Sequence, residues 1–258
     1  MKNYFLFMKN NFKIVLEYKT SFLIQAFAML ISNTSFFLVW YFVFKKFWTF
    51  SGFNFYDYLI LFDTLLFNFC FVHIFFWWYW NIATWATNWT LDNFLLMPKW
   101  VLLKLLSYWM PNSIFWDLIN ALLLPLFIPG FTFFMFLKVI YFSLIWSFVF
   151  LGFMIITTSL SFFIWSSREF SRALFELILW PWNYPEKIFE WTFLKLLFVT
   201  IIPVYYTFYL PFNLVRHFEW GWFMILHLSA VFFMWIWYIV FYRWLKRYES
   251  WNLMNTNS

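Results

Sequence analysis

The chain has 258 residues, of which 65% are hydrophobic and 11% charged, with 17 Lys and Arg against 11 Asp and Glu for a net charge of +6. A soluble domain carries roughly 25% charged residues, so this composition excludes a water-soluble globular protein and indicates one that lives in a lipid bilayer. One cysteine, Cys70, excludes an intrachain disulfide and a cysteine-ligated metal cluster. The basic residues are scattered between apolar runs, which suits loops beside an anionic leaflet and not nucleic acid.

Residues 1–20 place Lys2, Lys9, Lys13 and Lys19 opposite Phe5, Met8, Phe12 and Val15 at three- and four-residue spacing. That pattern predicts an amphipathic helix lying in the membrane interface, with a plain basic tail as the alternative. Ala26-Phe27-Ala28 resembles a signal-peptide cleavage site, but charges interrupt the stretch before it, so the helix is expected to be retained. The remaining apolar runs reach the roughly 20 residues that a helix needs to cross a bilayer, and no strand-like alternation is sustained. The fold class that follows is an all-α integral membrane protein of one domain, with six transmembrane helices.

The first span is expected at 21–44, closed by Lys45-Lys46 and a loop through Ser51, Gly52 and Asn54. The second, at 58–80, carries Asp63, Asn68 and His73. Polar residues inside a span are costly and draw attention to function. Asp63 is close enough to the loop to reach water and His73 lies on another face, so structural roles are assigned to all three. Residues 88–98 then form a short half-polar segment between apolar runs. Thr90 is placed to cap a helical turn, Asp92 sits near its positive end, and Pro98 stops it. Leu91, Phe94, Leu95 and Met97 give an apolar patch, either on a surface helix that docks another body or on a connecting loop.

A third span at 112–128 holds Asp117 and Asn120, three apart, which either bond a neighbouring helix or face water at the helix entrance; Pro125, Pro129 and Gly130 end it in a turn. The fourth, at 139–165, carries Thr157, Thr158, Ser159 and Ser161, small polar residues that allow close helix packing. Residues 166–190 read as a polar loop. The fifth span, 192–211, contains Pro203 and Pro211, which predict a broken helix near the far surface. Arg216, His217 and Glu219 form an outer loop before the sixth span at 222–242. With both termini in the cytoplasm, 13 basic residues lie inside, leaving Lys45, Lys46, Lys138 and Arg216 outside.

No H-E-x-x-H, G-x-S-x-G or C-x-x-C is present, and His73, His217 and His227 share no ligand-like spacing. Gly52, Gly130, Gly152 and Gly221 are too dispersed for a phosphate-binding loop, so any ATP must be bound by another chain. There are 21 Trp against 4 Gly, where average usage predicts roughly 18 glycines. Two readings follow: many of these Trp codons are translated as Gly in the source organism, or they are true Trp.

The segment Trp89-Thr90-Leu91-Asp92-Asn93-Phe94-Leu95-Leu96-Met97-Pro98 resembles the Gly-x-Leu-Asp-x-x-Leu-Leu-x-Pro loop of ATP-binding-cassette exporter permeases of the type-2 class. Tyr184-Pro185, Ile202-Pro203-Val204 and Tyr209-Leu210-Pro211 are similar to that family's later motifs, whereas Trp89 and Trp182 stand where the family has Gly. The resemblance implies a permease subunit exporting a lipid-like, drug-like or glycan substrate, without catalytic, metal or cofactor residues of its own. It implies a short cytoplasmic coupling helix between spans two and three, with Thr90, Leu91, Asp92, Leu95, Leu96 and Pro98 docking a separate ATPase subunit that binds ATP and Mg. It further implies a second permease chain, identical or paralogous, with spans one, two and five of each lining a pathway that Pro203 and Pro211 help shape, in the inner or plasma membrane. An ion-coupled carrier, a non-transporting scaffold and an intramembrane lipid-modifying enzyme are the other classes open to such a sequence.

Overall fold

The computed structural model describes residues 9, 10, 13, 17–50, 52–88, 90–96, 101–106, 113–163, 167–189 and 193–248. The interfacial helix expected over residues 1–20 lies almost wholly outside them, as do Trp89, Met97 and Pro98. Every element among the described residues is helical, apart from one isolated bridge between Phe50 and Phe53.

Helix α1 (Lys19–Phe47) is a 29-residue rod of which Ala26, Trp40 and Phe44 are the buried positions. At about 1.5 Å per residue it is longer than the roughly 30 Å hydrocarbon core, and its exposed Leu23, Ile24, Phe27 and Leu30 face lipid. It ends at Trp48, which has φ +57° and ψ −52° and is 86% exposed. This is the position after a helix where glycine is favoured, because a Cβ crowds the backbone there. Helix α2 (Phe55–Phe76) follows and continues through a 3₁₀ turn (Trp77–Trp80) into α3 (Asn81–Thr87). The chain reverses at the Gly52 loop, so that loop marks one end of the bundle, the Gly52 end. The far end of α3 leads to α4 (Leu91–Leu95) and marks the other, the Asp92 end.

Helix α5 (Val101–Leu106) and α6 (Ile114–Leu123), the latter extended by a 3₁₀ turn (Leu124–Phe127), lead back toward the Gly52 end. Gly130, at φ +73°, makes the predicted turn, and the Thr132 hydroxyl caps α7 (Phe133–Ser159) by accepting from the Met135 N–H at 3.2 Å. Helix α7 is the centre of the bundle: Trp146, Val149, Phe150, Met154 and Ile155 are fully buried. The Ser143 hydroxyl donates across to the Thr64 carbonyl of α2 at 3.0 Å. Thr158, Ser159 and Ser161 donate back to carbonyls three or four residues earlier, which satisfies buried hydroxyls inside one helix.

The stretch 166–190, expected to be a polar loop, instead contains helix α8 (Ser167–Leu179) and a 3₁₀ turn (Trp180–Asn183), together about 27 Å long. At the Asp92 end the Ser171 hydroxyl donates to the Thr157 carbonyl at 2.9 Å. Farther along, Tyr184 meets Trp40 edge to face at 6.4 Å, and Lys187 reaches Gly52. The loop reading failed because α8 is strongly amphipathic: its charges suppress the apolar average while Ile178 is fully buried.

A span at 192–211 was also expected. The structure has α9 (Phe193–Thr200) and, bent from it by 73°, a π turn (Tyr205–Tyr209) running into α10 (Leu210–Arg216). Glu186, before the pair, accepts a hydrogen bond from Asn213 near its end at 3.2 Å. Both connections are therefore at the Gly52 end. Helix α11 (Trp220–Leu245) closes the bundle against α7. Gly152 allows the close approach, since a Cβ there would stand 2.7 Å from Trp237 Cδ1 and 3.2 Å from the Phe233 carbonyl.

Among the described residues four helical stretches are long and apolar enough to cross a bilayer, Lys19–Phe47, Phe55–Ala86, Phe133–Phe162 and Trp220–Leu245, or five if the bent pair counts as one. Ile114–Phe127 is apolar but shorter.

Candidate functional site

At the Asp92 end the sequence pattern produces a small exposed platform. Leu91 and Phe94, three apart, turn inward; Phe94 stacks on Trp85 with ring centroids 4.6 Å apart. Leu95 is 37% and Leu96 84% exposed, so the apolar surface offered outward is theirs. The expected patch of Leu91, Phe94, Leu95 and Met97 is thus divided, because an i, i+3 pair needs one shared face and Trp85 takes it. Thr90 does not cap: its backbone is helical, and its hydroxyl points to the Asn88 carbonyl at 3.5 Å. Asp92 lies in the first turn of α4, as expected. Burial first, and then the Asp92 carboxylate, push the Tyr248 phenol well above its ordinary range. The platform is therefore tied to the end of α11.

Between α1, α2, α6 and α8 runs a cleft of about 540 Å³ whose wall includes Phe69, His73, Trp80, Asp117, Arg172 and Glu176. A smaller void of about 270 Å³ adjoins it, sharing Met29, Phe69 and Asp117 and extending to Asn33, Leu66 and Leu179. The amphipathic face of α8 supplies the polar side of the first, through Arg172 and Glu176.

His73 is 2% exposed. Its Nδ1 is 2.7 Å from the Phe69 carbonyl, which can only accept, so Nδ1 carries the proton and Nε2 accepts from the Tyr79 hydroxyl at 3.1 Å. The structural role assigned to it from sequence agrees with this bonding. Asp63 does not reach water: it is fully buried, with no hydrogen-bond partner for either oxygen, as are Asn68 and its amide atoms. Asp117 lies in the first turn of α6, the helix entrance expected for it, and is half-buried there. It stands beside Asn33, the middle residue of α1, whose Nδ2 is 3.5 Å from Asp117 Oδ1.

Pro203 is at the break in the bent pair, and its carbonyl accepts from the Thr207 N–H and hydroxyl at 3.0 and 2.8 Å. Pro211 opens α10, where a missing N–H is harmless, directly after the π turn. Neither proline lines the cleft. Instead the bent pair is fastened at the Gly52 end. Phe53 stacks on Phe212 at 5.0 Å, and Arg216 pairs with Asp57 at 3.3 Å. Sequence reasoning missed these contacts, since nothing in the spacing of Asp57 and Arg216 relates them.

Over residues 29–251 the chain matches the profile of the family described as ABC-2 family transporter protein. No curated protein and no solved structure matches it significantly.

Proposed function

The chain belongs to the ABC-2 transporter family, whose members are multi-pass permease subunits that associate with an ATP-binding subunit, and on that premise we propose that it is the membrane subunit of an exporter. Its six crossings are α1, α2 with α3, α5 with α6, α7, α8 and α11. The bent pair α9–α10 re-enters from the Gly52 side. Support for re-entry comes from the hydrogen bond between Glu186 and Asn213, residues that flank the pair. The Asp92 end is cytoplasmic: among the described residues Lys19, Lys104, Arg172, Arg243, Lys246 and Arg247 fall there, whereas Lys187 joins the outer loop.

In this reading α4 is the coupling helix. The single observation that carries it is the exposure of Leu95 and Leu96 on a short helix braced from behind by Phe94 on Trp85. A separate ATPase, which binds the ATP and Mg, takes these two side chains into a groove. Asp92 and Leu91 set the helix in place, and Pro98 ends the motif. Closure of the ATPases then rocks the helices around the cleft as rigid bodies. Two such chains, identical or paralogous, pair in the inner or plasma membrane, and the cleft between α1, α2 and α8 of each admits a lipid-like, drug-like or glycan substrate.

The test is capture of the ATPase encoded beside this chain by wild type and by Leu95→Asp with Leu96→Asp. Both positions are exposed, so the double variant keeps its unfolding temperature. Wild-type capture that the variant loses supports docking at α4, and equal capture by both refutes it.

A further inference from the structure

We propose that the middle of the cleft is a recognition site for a protonated amine carried on an amphiphilic, ring-bearing substrate, with the Asp117 carboxylate accepting from the ammonium group. The proposal rests on the cleft being the transport pathway and adds the chemical class of what passes through it.

Asp117 lines both voids, and in the smaller one it is the only ionisable wall residue among those described. In the first turn of α6 it stands opposite Asn33, the central residue of the 29-residue α1. The polar contact the structure gives the carboxylate is the long one from the Asn33 amide, at 3.5 Å to Oδ1. The ion pair of Arg216 with Asp57 lies far from the cleft, at the Gly52 end. An ionised carboxylate at the centre of a membrane domain is costly, and the offset comes from a cation in the space it faces.

The shape of that space narrows the cation. A bare metal ion needs several oxygen ligands, and no group of three His, Cys, Asp or Glu among the described residues could hold one. Around Asp117 the wall is instead apolar and aromatic, with Phe36, Phe62 and Phe69, and rings of this kind attract an ammonium while packing its carbon skeleton. The wider void toward the Asp92 end adds Glu176 with Arg172 one turn away, so the carboxylates outnumber the cation along the cleft. An anionic headgroup would meet two carboxylates, Asp117 and Glu176, against the single cation Arg172 among the described wall residues.

The test uses the full chain in lipid nanodiscs without any ATPase, titrated with dansylcadaverine, a primary ammonium on a fluorescent ring, and with its uncharged N-acetyl derivative. Empty nanodiscs are subtracted. Wild type is expected to bind the amine saturably and at least tenfold more tightly than the acetylated probe. Asp117→Asn should bring the two within twofold of each other. Asn33→Lys, which sets an internal ammonium beside Asp117, should abolish amine binding while the unfolding temperature is kept, so the proposal does not depend on one variant folding. Equal binding of both probes to wild type, no saturable binding, or a preference that survives Asp117→Asn overturns the site. Amine preference in a chain that captures no ATPase refutes the exporter reading alone.

Discussion

Removing the Arg216 side chain should loosen the bent pair from the head of α2, and the structure sets the size of the effect. The pair is 3.3 Å apart, with Asp57 9% and Arg216 33% exposed at the side chain. At an effective dielectric constant near 20 the gross attraction is about 5 kcal/mol, most of which is offset by desolvation and by ordering the arginine. Asp57 is not stranded by the loss, because its Oδ2 still accepts from the Asn54 N–H at 3.0 Å. The net change for Arg216→Ala is therefore about 1–2 kcal/mol, with roughly 0.5 kcal/mol more from the guanidinium lying 5.7 Å above the Phe212 ring. In a chain of this size that lowers the unfolding temperature by about 3–8 °C. Asp57→Ala should cost more. It also removes the Asp57 Oδ2 that accepts from the Asn54 N–H at 3.0 Å, adding about 1 kcal/mol. The assay is thermal unfolding of wild type, both single variants and the double variant in nanodiscs at low and high salt. Raising salt should shrink the difference between wild type and Arg216→Ala, since the arginine is partly exposed. An Arg216→Ala variant that melts within 1 °C of wild type, or an Asp57→Ala variant that melts above it, would refute the reasoning.

Two further outcomes can be checked on the same preparation or on native material. Gly152→Val should destabilise the chain by about 1–3 kcal/mol through overpacking against the Phe233 carbonyl and Trp237; an unchanged unfolding temperature would mean that α7 and α11 are not in close contact there. At Trp48 the positive φ favours the glycine reading of the Trp codons, so mass spectrometry of the native peptide is expected to find a glycyl residue. An indole mass would establish true Trp. In that case Trp48→Gly should stabilise the expressed chain by about 1–2 kcal/mol by relieving the backbone.

How much of the site was legible varied with what each residue answers to. The segment 88–98 stood out because it is half-polar and short between long apolar runs, and its motif residues were recognisable one by one. Which of them face outward was not legible, because Leu91, Phe94, Leu95 and Leu96 are equally apolar and Trp85, in a separate helix, chooses the buried pair. The cleft was hidden for a related reason. Its polar wall is α8, and a run containing Arg168, Glu169, Arg172 and Glu176 averages to a loop unless one knows that Arg172 and Glu176 line a void.

The sequence by itself determined that this is a helical membrane protein, because the length of an apolar run answers directly to the thickness of a bilayer and needs no partner. It also determined where Pro203 would break a helix, since a missing N–H acts locally. Tertiary structure decided the depth and neighbours of every polar group. Asp117 became a wall of the cleft beside α1, Asp57 and Arg216 became a pair through the return of α10, and the two flanks of the α9–α10 segment met through Glu186 and Asn213. Each of these joins residues far apart in the chain, and no local period or propensity encodes such a meeting.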